Sequence, residues 1–253
     1  MGLLDIEPLG ERAIRIGFGE EVSLRTQQKI QVASKMLEEA NFDFIEHSLP
    51  SYTALTIVYN PIKRCYSEVK KALNETLKEI EISQLERPPY VEIPVCYGEN
   101  FGPDLQDVAD YHAITQKEVI DWHSKQIYPI FMIGFAPGFP YLGGLIPELY
   151  TPRLSNPRTH VEAGSVGIGG KQTGIYPVSS PGGWRIIGRT PVSLFNKEKE
   201  PPVILQAGMF LKFQPIDLEE YKKLKALVEQ DEYQLNIQSI SLEEIESKTI
   251  IID

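Results

Sequence analysis

Cysteine is scarce: Cys65 and Cys96 are the only two in 253 residues. They give neither a disulfide framework nor a metal-binding spacing. Apolar and aromatic neighbours lead us to expect both thiols buried. Histidine is almost as rare, and His47, His112, His123 and His160 show no metal-ligand spacing. Positive charge is in deficit, with 25 Lys and Arg against 35 Asp and Glu, a net of −10. Such a surface repels a phosphate backbone and argues against nucleic acid as a partner. No apolar run reaches the length of a membrane-spanning helix. Met1 to Glu20 holds no signal-peptide core. Met1-Gly2 is followed by Ile6 where a myristoylation pattern needs Ser or Thr. A reducing cytoplasm, away from membranes, is the expected location.

What remains is an ordinary globular composition, 42% hydrophobic and 24% charged. Residues 13–18, 42–48 and 52–59 read as strands. Ser23 opens a helical pattern through Ile30, Ala33, Met36, Leu37 and Ala40. A second helix is expected over Ser67–Ile82, and a strand over Tyr90–Tyr97. The order β-α-β-β-α-β is the split βαβ, or ferredoxin-like, pattern, and its last strand fits the next unit equally well. Arg87-Pro88-Pro89 is the expected linker, dividing 1–87 from 88–253. Beyond it we expect helices near Asp104–Tyr111 and Thr115–His123, the second with a capping box. Strands are expected at Ile127–Ile133, Val192–Phe195 and Met209–Phe213, and a terminal helix over Leu218–Glu229. Residues 217–253 carry ten acidic and four basic side chains, which reads as a solvated acidic end.

The texture changes from Gly134 to Pro191, where twelve of the 19 glycines and eight of the 19 prolines fall. Long helices do not form at that density, so short strands and shaped loops of a small barrel are expected. The same segment holds Arg153, Arg158, Lys171, Arg185 and Arg189 against only Glu148 and Glu162. Planar guanidinium forks and close-approaching glycine backbone suit a carboxylate or phosphate. Tight barrel loops with salt-bridged arginines account for the composition equally well. Gly164 to Thr173 superficially resembles a phosphate-binding loop, but Ser165 and Gln172 stand where it needs Gly and Ser or Thr. Ala163-Gly-Ser-Val-Gly167 is a near miss to a nucleophile elbow and lacks the helix that must follow. His160 is suited by residue type to proton transfer, or makes a structural hydrogen bond. Trp184 either lines a pocket or fills core.

Gly134-Phe-Ala-Pro-Gly-Phe-Pro-Tyr-Leu-Gly143, Pro157-Arg158, Ala163-Gly-Ser-Val-Gly-Ile-Gly169, Gln172-Thr-Gly-Ile-Tyr-Pro177, Ser180-Pro-Gly-Gly-Trp184 and Ile187-Gly-Arg-Thr-Pro191 together resemble the family of 5-oxoprolinase B subunits. That family is also called allophanate hydrolase subunit 1, and it includes KipI-type inhibitors of sporulation histidine kinases. The resemblance runs from about Leu4 to Leu227. It implies an α+β protein: a ferredoxin-like N-terminal domain followed by a cyclophilin-like β-barrel. It implies a part in ATP-dependent hydrolysis of 5-oxoproline to glutamate, with partners in the A and C subunits, the latter of carboxyltransferase type. The sequence locates no ATP site, general base or metal site. Arg158, Gln172 and His160 are the expected catalytic residues. Phe135, Arg153, Ser165, Gly167, Gly169, Gly170, Thr173, Tyr176, Ser180, Gly182, Gly183 and Trp184 are the expected contacts to a small anionic substrate. The resemblance admits two other roles: inhibition of a histidine kinase, and a part in an allophanate hydrolase or urea carboxylase-like system.

Overall fold

The computed structural model describes residues 5–80, 87–241 and 243–245. The ends of the chain, including Met1-Gly2 and the last acidic residues, lie outside the described residues, as do residues 81–82 of the expected second helix. The chain divides into two compact units, within Met1–Glu86 and Arg87–Ile251.

The first unit is a four-stranded antiparallel sheet in the order β1-β2-β4-β3, with two helices. Its strands are β1 (Asp5–Pro8), β2 (Ala13–Gly17), β3 (Ile45–Pro50) and β4 (Ala54–Tyr59). Helix α1 (Leu24–Ala40) begins where the Ser23 hydroxyl accepts from Thr26 N–H, and it stops at Asn41 in the left-handed region. Helix α2 (Tyr66–Thr76) is capped reciprocally by Cys65 and Glu68. Ile30, Ala33 and Leu37 of α1 and Val69 and Leu73 of α2 join Ile14, Ile16, Leu55 and Ile57 in one core. The split βαβ pattern holds for β2-α1-β3-β4-α2, with one correction. The sheet place beside β2 is filled by β1, a short edge strand with one buried side chain, Ile6. Of the two places left open to the last strand, it takes the one in the second unit. Cys65 also corrects expectation: it is exposed, whereas Cys96 is buried.

The second unit is a barrel. Its strands are β5 (Pro89–Tyr97), β6 (Ile127–Ile133), β7 (Pro140–Leu142), β8 (Arg158–Val161), β9 (Ser165–Gly169), β10 (Gln172–Ile175), β11 (Ser180–Gly182), β12 (Arg185–Arg189), β13 (Phe210–Ile216) and β14 (Ile237–Ser239). Seven of them run β12-β9-β10-β7-β6-β13-β5 and close through β5 onto β12. Closure requires β5 to serve two neighbours on one edge: β14 takes residues 89–91, and β12 takes Cys96 and Tyr97. Its other edge pairs in parallel with β13. Strands β8 and β11 form a separate two-stranded ladder. Helices α3 (Leu105–His112), α4 (Gln116–Lys125) and α5 (Leu218–Glu229) complete the unit, and Thr115 and Glu118 form the expected capping box. Val192–Phe195 is not a strand; Phe195 makes a single bridge to Val203. Pro191, Pro201 and Pro202 lack N–H donors, and the Ser193 hydroxyl donates to the Phe195 carbonyl, so no ladder forms there.

The interior is apolar, with Val91, Ile93, Tyr128, Val166, Ile168 and Phe213 among its fully buried side chains. Through it runs one polar chain. The Thr173 hydroxyl donates to the Gly167 carbonyl at 3.1 Å. With its only proton so used, it accepts from His123 Nε2–H at 2.7 Å. His123 Nδ1 is then the acceptor for the Tyr97 hydroxyl at 2.8 Å. His123 stacks on Phe213 and is fully buried. Burial drives its pKa down to about 3, so it is neutral in the fold.

Candidate functional site

The Gly- and Pro-rich segment builds a cluster of mutually perpendicular rings. Phe139 meets Tyr176 and Trp184 edge-on, each with centroids 5.6 Å apart, and Tyr176 meets Trp184 at 6.1 Å. The glycines are what let the rings in. A Cβ on Gly169 would lie 2.4 Å from the Trp184 ring, and one on Gly182 would lie 2.4 Å from the Tyr176 hydroxyl. Gly167 and Gly174 also face Trp184 closely. Trp184 is 6% exposed and Tyr176 3%, so of the two readings of Trp184 the structure favours core. Burial pushes the Tyr176 phenol up. A hydrogen bond from the Trp184 backbone and the charges of Arg153 and Arg158 pull it back. Phe135 packs edge-on to Phe139 yet is 72% exposed and has a φ of 62°.

Around this cluster the five basic residues have different roles. Arg158 Nη2–H donates to Asp104 Oδ1 at 2.7 Å, and Asp104 Oδ2 accepts the Ile186 N–H at 2.6 Å. Arg185 donates to Asp107 at 2.7 Å. Both acids belong to the start of α3, so these arginines tie that helix to β8 and β12. Arg153 lies over the Trp184 ring and Lys171 over the Tyr150 ring, each at about 6 Å. Arg189 lies over Phe101 and has a buried Nε with no hydrogen-bond partner among the described residues.

The β9–β10 ladder separates the expected site residues into two groups. At its hairpin end are Gln172, half-buried and engaged, and Gly170, whose φ of +70° makes the turn into Lys171. Arg153 and Trp184 lie at this end. At the other end are Ser165 and the Tyr176 backbone, joined by the Tyr176 N–H donating to the Ser165 carbonyl, while the Tyr176 ring reaches back to Trp184. Four residues of strand between them span roughly 13 Å. The Ser165–Gly169 backbone pairs with β10 on one side and β12 on the other, so its N–H groups serve the ladder. Ser165 is 1% exposed and Thr173 fully buried. Ser180 and Gly182 pair with Val161 and Arg158, and Gly183 accepts from Leu154 N–H. His160 is exposed, with Nε2 2.9 Å from Glu162 Oε1.

Sequence reasoning did not find the cavity at the Ser165 end. It has a volume of roughly 300 Å³ and is lined by Arg189, Thr190, Ser193, Glu162 and, from α5, Lys225 and Glu229. The terminal helix, read only as a solvated acidic end, forms one of its walls. Among the described residues there is no group of three or more potential metal ligands, and no helix long and apolar enough to cross a membrane.

Comparison with known proteins bears on this geometry. Residues 4–205 match the family model described as carboxyltransferase domain, subdomain C and D. The chain is 42% identical to the B subunit of the Bacillus subtilis 5-oxoprolinase, over 87% of this chain and 96% of that protein. It is 40% identical to the B subunit of the Haemophilus influenzae 5-oxoprolinase, over 83% of this chain and 97% of that one. Among solved structures, TTHA0988 is 31% identical with a TM-score of 0.72, covering 81% of this chain. This chain spans only 40% of the TTHA0988 chain.

Proposed function

The chain belongs to the family of 5-oxoprolinase B subunits, and from that premise we propose that it is the B subunit of an ATP-dependent 5-oxoprolinase. The reaction is hydrolysis of 5-oxo-L-proline to L-glutamate, coupled to ATP cleavage and carried out with A and C subunits, the latter of carboxyltransferase type. The observation that carries this reading is the 42% identity spanning 96% of the Bacillus subtilis protein. That TTHA0988 extends well beyond the part this chain matches supports a partner of comparable size.

The residues argue against nucleotide binding in the Gly164–Thr173 stretch. It forms a ladder and a two-residue hairpin turn, with Gly164 and Gly170 N–H donating to the Tyr176 and Thr151 carbonyls and the strand between them paired on both sides. Glu162 and Glu229 in the cavity repel a triphosphate. We therefore place ATP on a partner protein, where its phosphoryl group would activate the lactam carbonyl carbon toward water, the C–N bond breaking to the amine and phosphate being released. This chain's task is to hold and orient the ring. Arg153 and Gln172 at the hairpin end are proposed as contacts to a partner subunit, Gln172 by offering both a donor and an acceptor. Arg158, tied to Asp104, is proposed as a positioning residue that fixes Trp184. His160, exposed and 2.9 Å from the cavity-lining Glu162, is proposed as the proton carrier to the opened ring nitrogen.

Complementation tests the reading. A Bacillus subtilis strain lacking its own B subunit should regain growth on 5-oxoproline as nitrogen source when given this chain. Growth only with the native protein, despite stable expression of this chain, would point to one of the other roles of the resemblance.

A further inference from the structure

The cavity between β12 and α5 is lined by charges that do not cancel equally. Glu162 is engaged by His160 at 2.9 Å. Lys225 lies 3.9 Å from Glu229. Arg189 is the remaining cation, without an ion pair among the described residues. Its ring contact with Phe101 fixes the guanidinium without using a donor. Tyr221, pushed up by burial and pulled back by Arg189, stands beside it. The Nε–H is closed off from the cavity, whereas the Nη groups make no hydrogen bond among the described residues and are the donors left to a carboxylate.

The rest of the lining narrows the ligand. Pro177, Pro191 and Val192 give apolar walls; the Ser193 hydroxyl is spent on the Phe195 carbonyl, and the Thr190 hydroxyl keeps its proton. Two carboxylates in the lining disfavour a polyanion and tolerate a single negative charge. The volume of roughly 300 Å³ suits a molecule of one small ring.

We propose that this cavity is a carboxylate-binding site in which Arg189, assisted by Lys225, takes the carboxylate of a small monoanion with an apolar body. In this family the monoanion is the 5-oxoproline carboxylate. That identity rests on the oxoprolinase reading; the carboxylate site itself does not.

Calorimetric titration of the full chain tests it, using 5-oxoproline, 2-pyrrolidinone (the same lactam without a carboxylate) and inorganic phosphate. Saturable binding of 5-oxoproline is expected, with 2-pyrrolidinone and phosphate each weaker by about tenfold or more. Arg189→Gln should weaken 5-oxoproline binding by about tenfold or more, and Arg189→Lys by less. Lys225→Glu, on an exposed helix face with no fold to lose, should weaken it in the same direction. Absence of saturable binding overturns the site. So does wild-type affinity in a folded Arg189→Gln or in Lys225→Glu, and so does tighter binding of phosphate or 2-pyrrolidinone. The two ideas fail separately. Turnover by the complete assembly with an unchanged KM in Arg189→Gln sinks the site and leaves the oxoprolinase standing. Arg189-dependent binding of 5-oxoproline without turnover by the assembly sinks the oxoprolinase and leaves the site.

Discussion

Asp104 and Arg158 lie 54 positions apart in the chain and meet at 2.7 Å, with Asp104 almost wholly buried. The same carboxylate accepts the Ile186 N–H, so one acid fastens β8, β12 and the start of α3. Removing the guanidinium leaves a buried charge holding one hydrogen bond. Arg158→Ala is expected to cost about 1–3 kcal/mol, below the full value for a buried pair because Arg158 is partly exposed. Urea unfolding measures it. Unchanged stability with lost turnover would instead make Arg158 a catalytic residue.

Gly169 and Gly170 are adjacent and make opposite demands. A methyl on Gly169 meets the Trp184 ring at 2.4 Å, whereas one on Gly170 meets nothing within 4 Å and strains only the backbone at φ +70°. Gly169→Ala should therefore destabilise by about 2–3 kcal/mol through overpacking. Gly170→Ala should cost about 1 kcal/mol. Thermal melts of the two variants should rank in that order, and the reverse order would refute the packing account of the glycines.

The buried imidazole sets a pH dependence. His123 has a pKa of about 3 in the fold against an ordinary value near 6.5. Between these values the unfolded chain binds a proton that the folded one refuses. Its contribution is therefore complete above about pH 6.5 and is lost progressively as pH falls toward 3, a change of a few kcal/mol. Denaturant unfolding at pH 7 and pH 4.5 should show the loss in wild type. A folded His123→Asn variant should show a shallower slope over the same interval. Equal slopes would place the acid sensitivity elsewhere.

Much of the fold is legible in local pattern, and the exceptions are non-local. Ser23, Thr115 and Glu118 announce their helices, and the apolar run Ile127–Ile133 is a strand from end to end. Tyr90–Tyr97 also reads as a strand, but its parallel partner Phe210–Ile216 lies more than a hundred residues on, so sequence order alone leaves two sheets open to it. Asp5–Pro8 is too short and too exposed to carry a period. The basic cluster is visible as composition, but which arginines are already paired depends on Asp104 and Asp107, and neither lies near them in sequence. Lys225 and Glu229 look like an ordinary solvated helix pair until the fold sets them across from Arg189.

The proposed role is catalytic, and product formation tests it most directly. ADP and glutamate would be measured from 5-oxoproline and ATP with the assembled A, B and C subunits, with this chain present or omitted. Coupled formation of both products is expected only when this chain is present. Full activity of the other two proteins without it, or no turnover from a complete and folded assembly, would contradict that role.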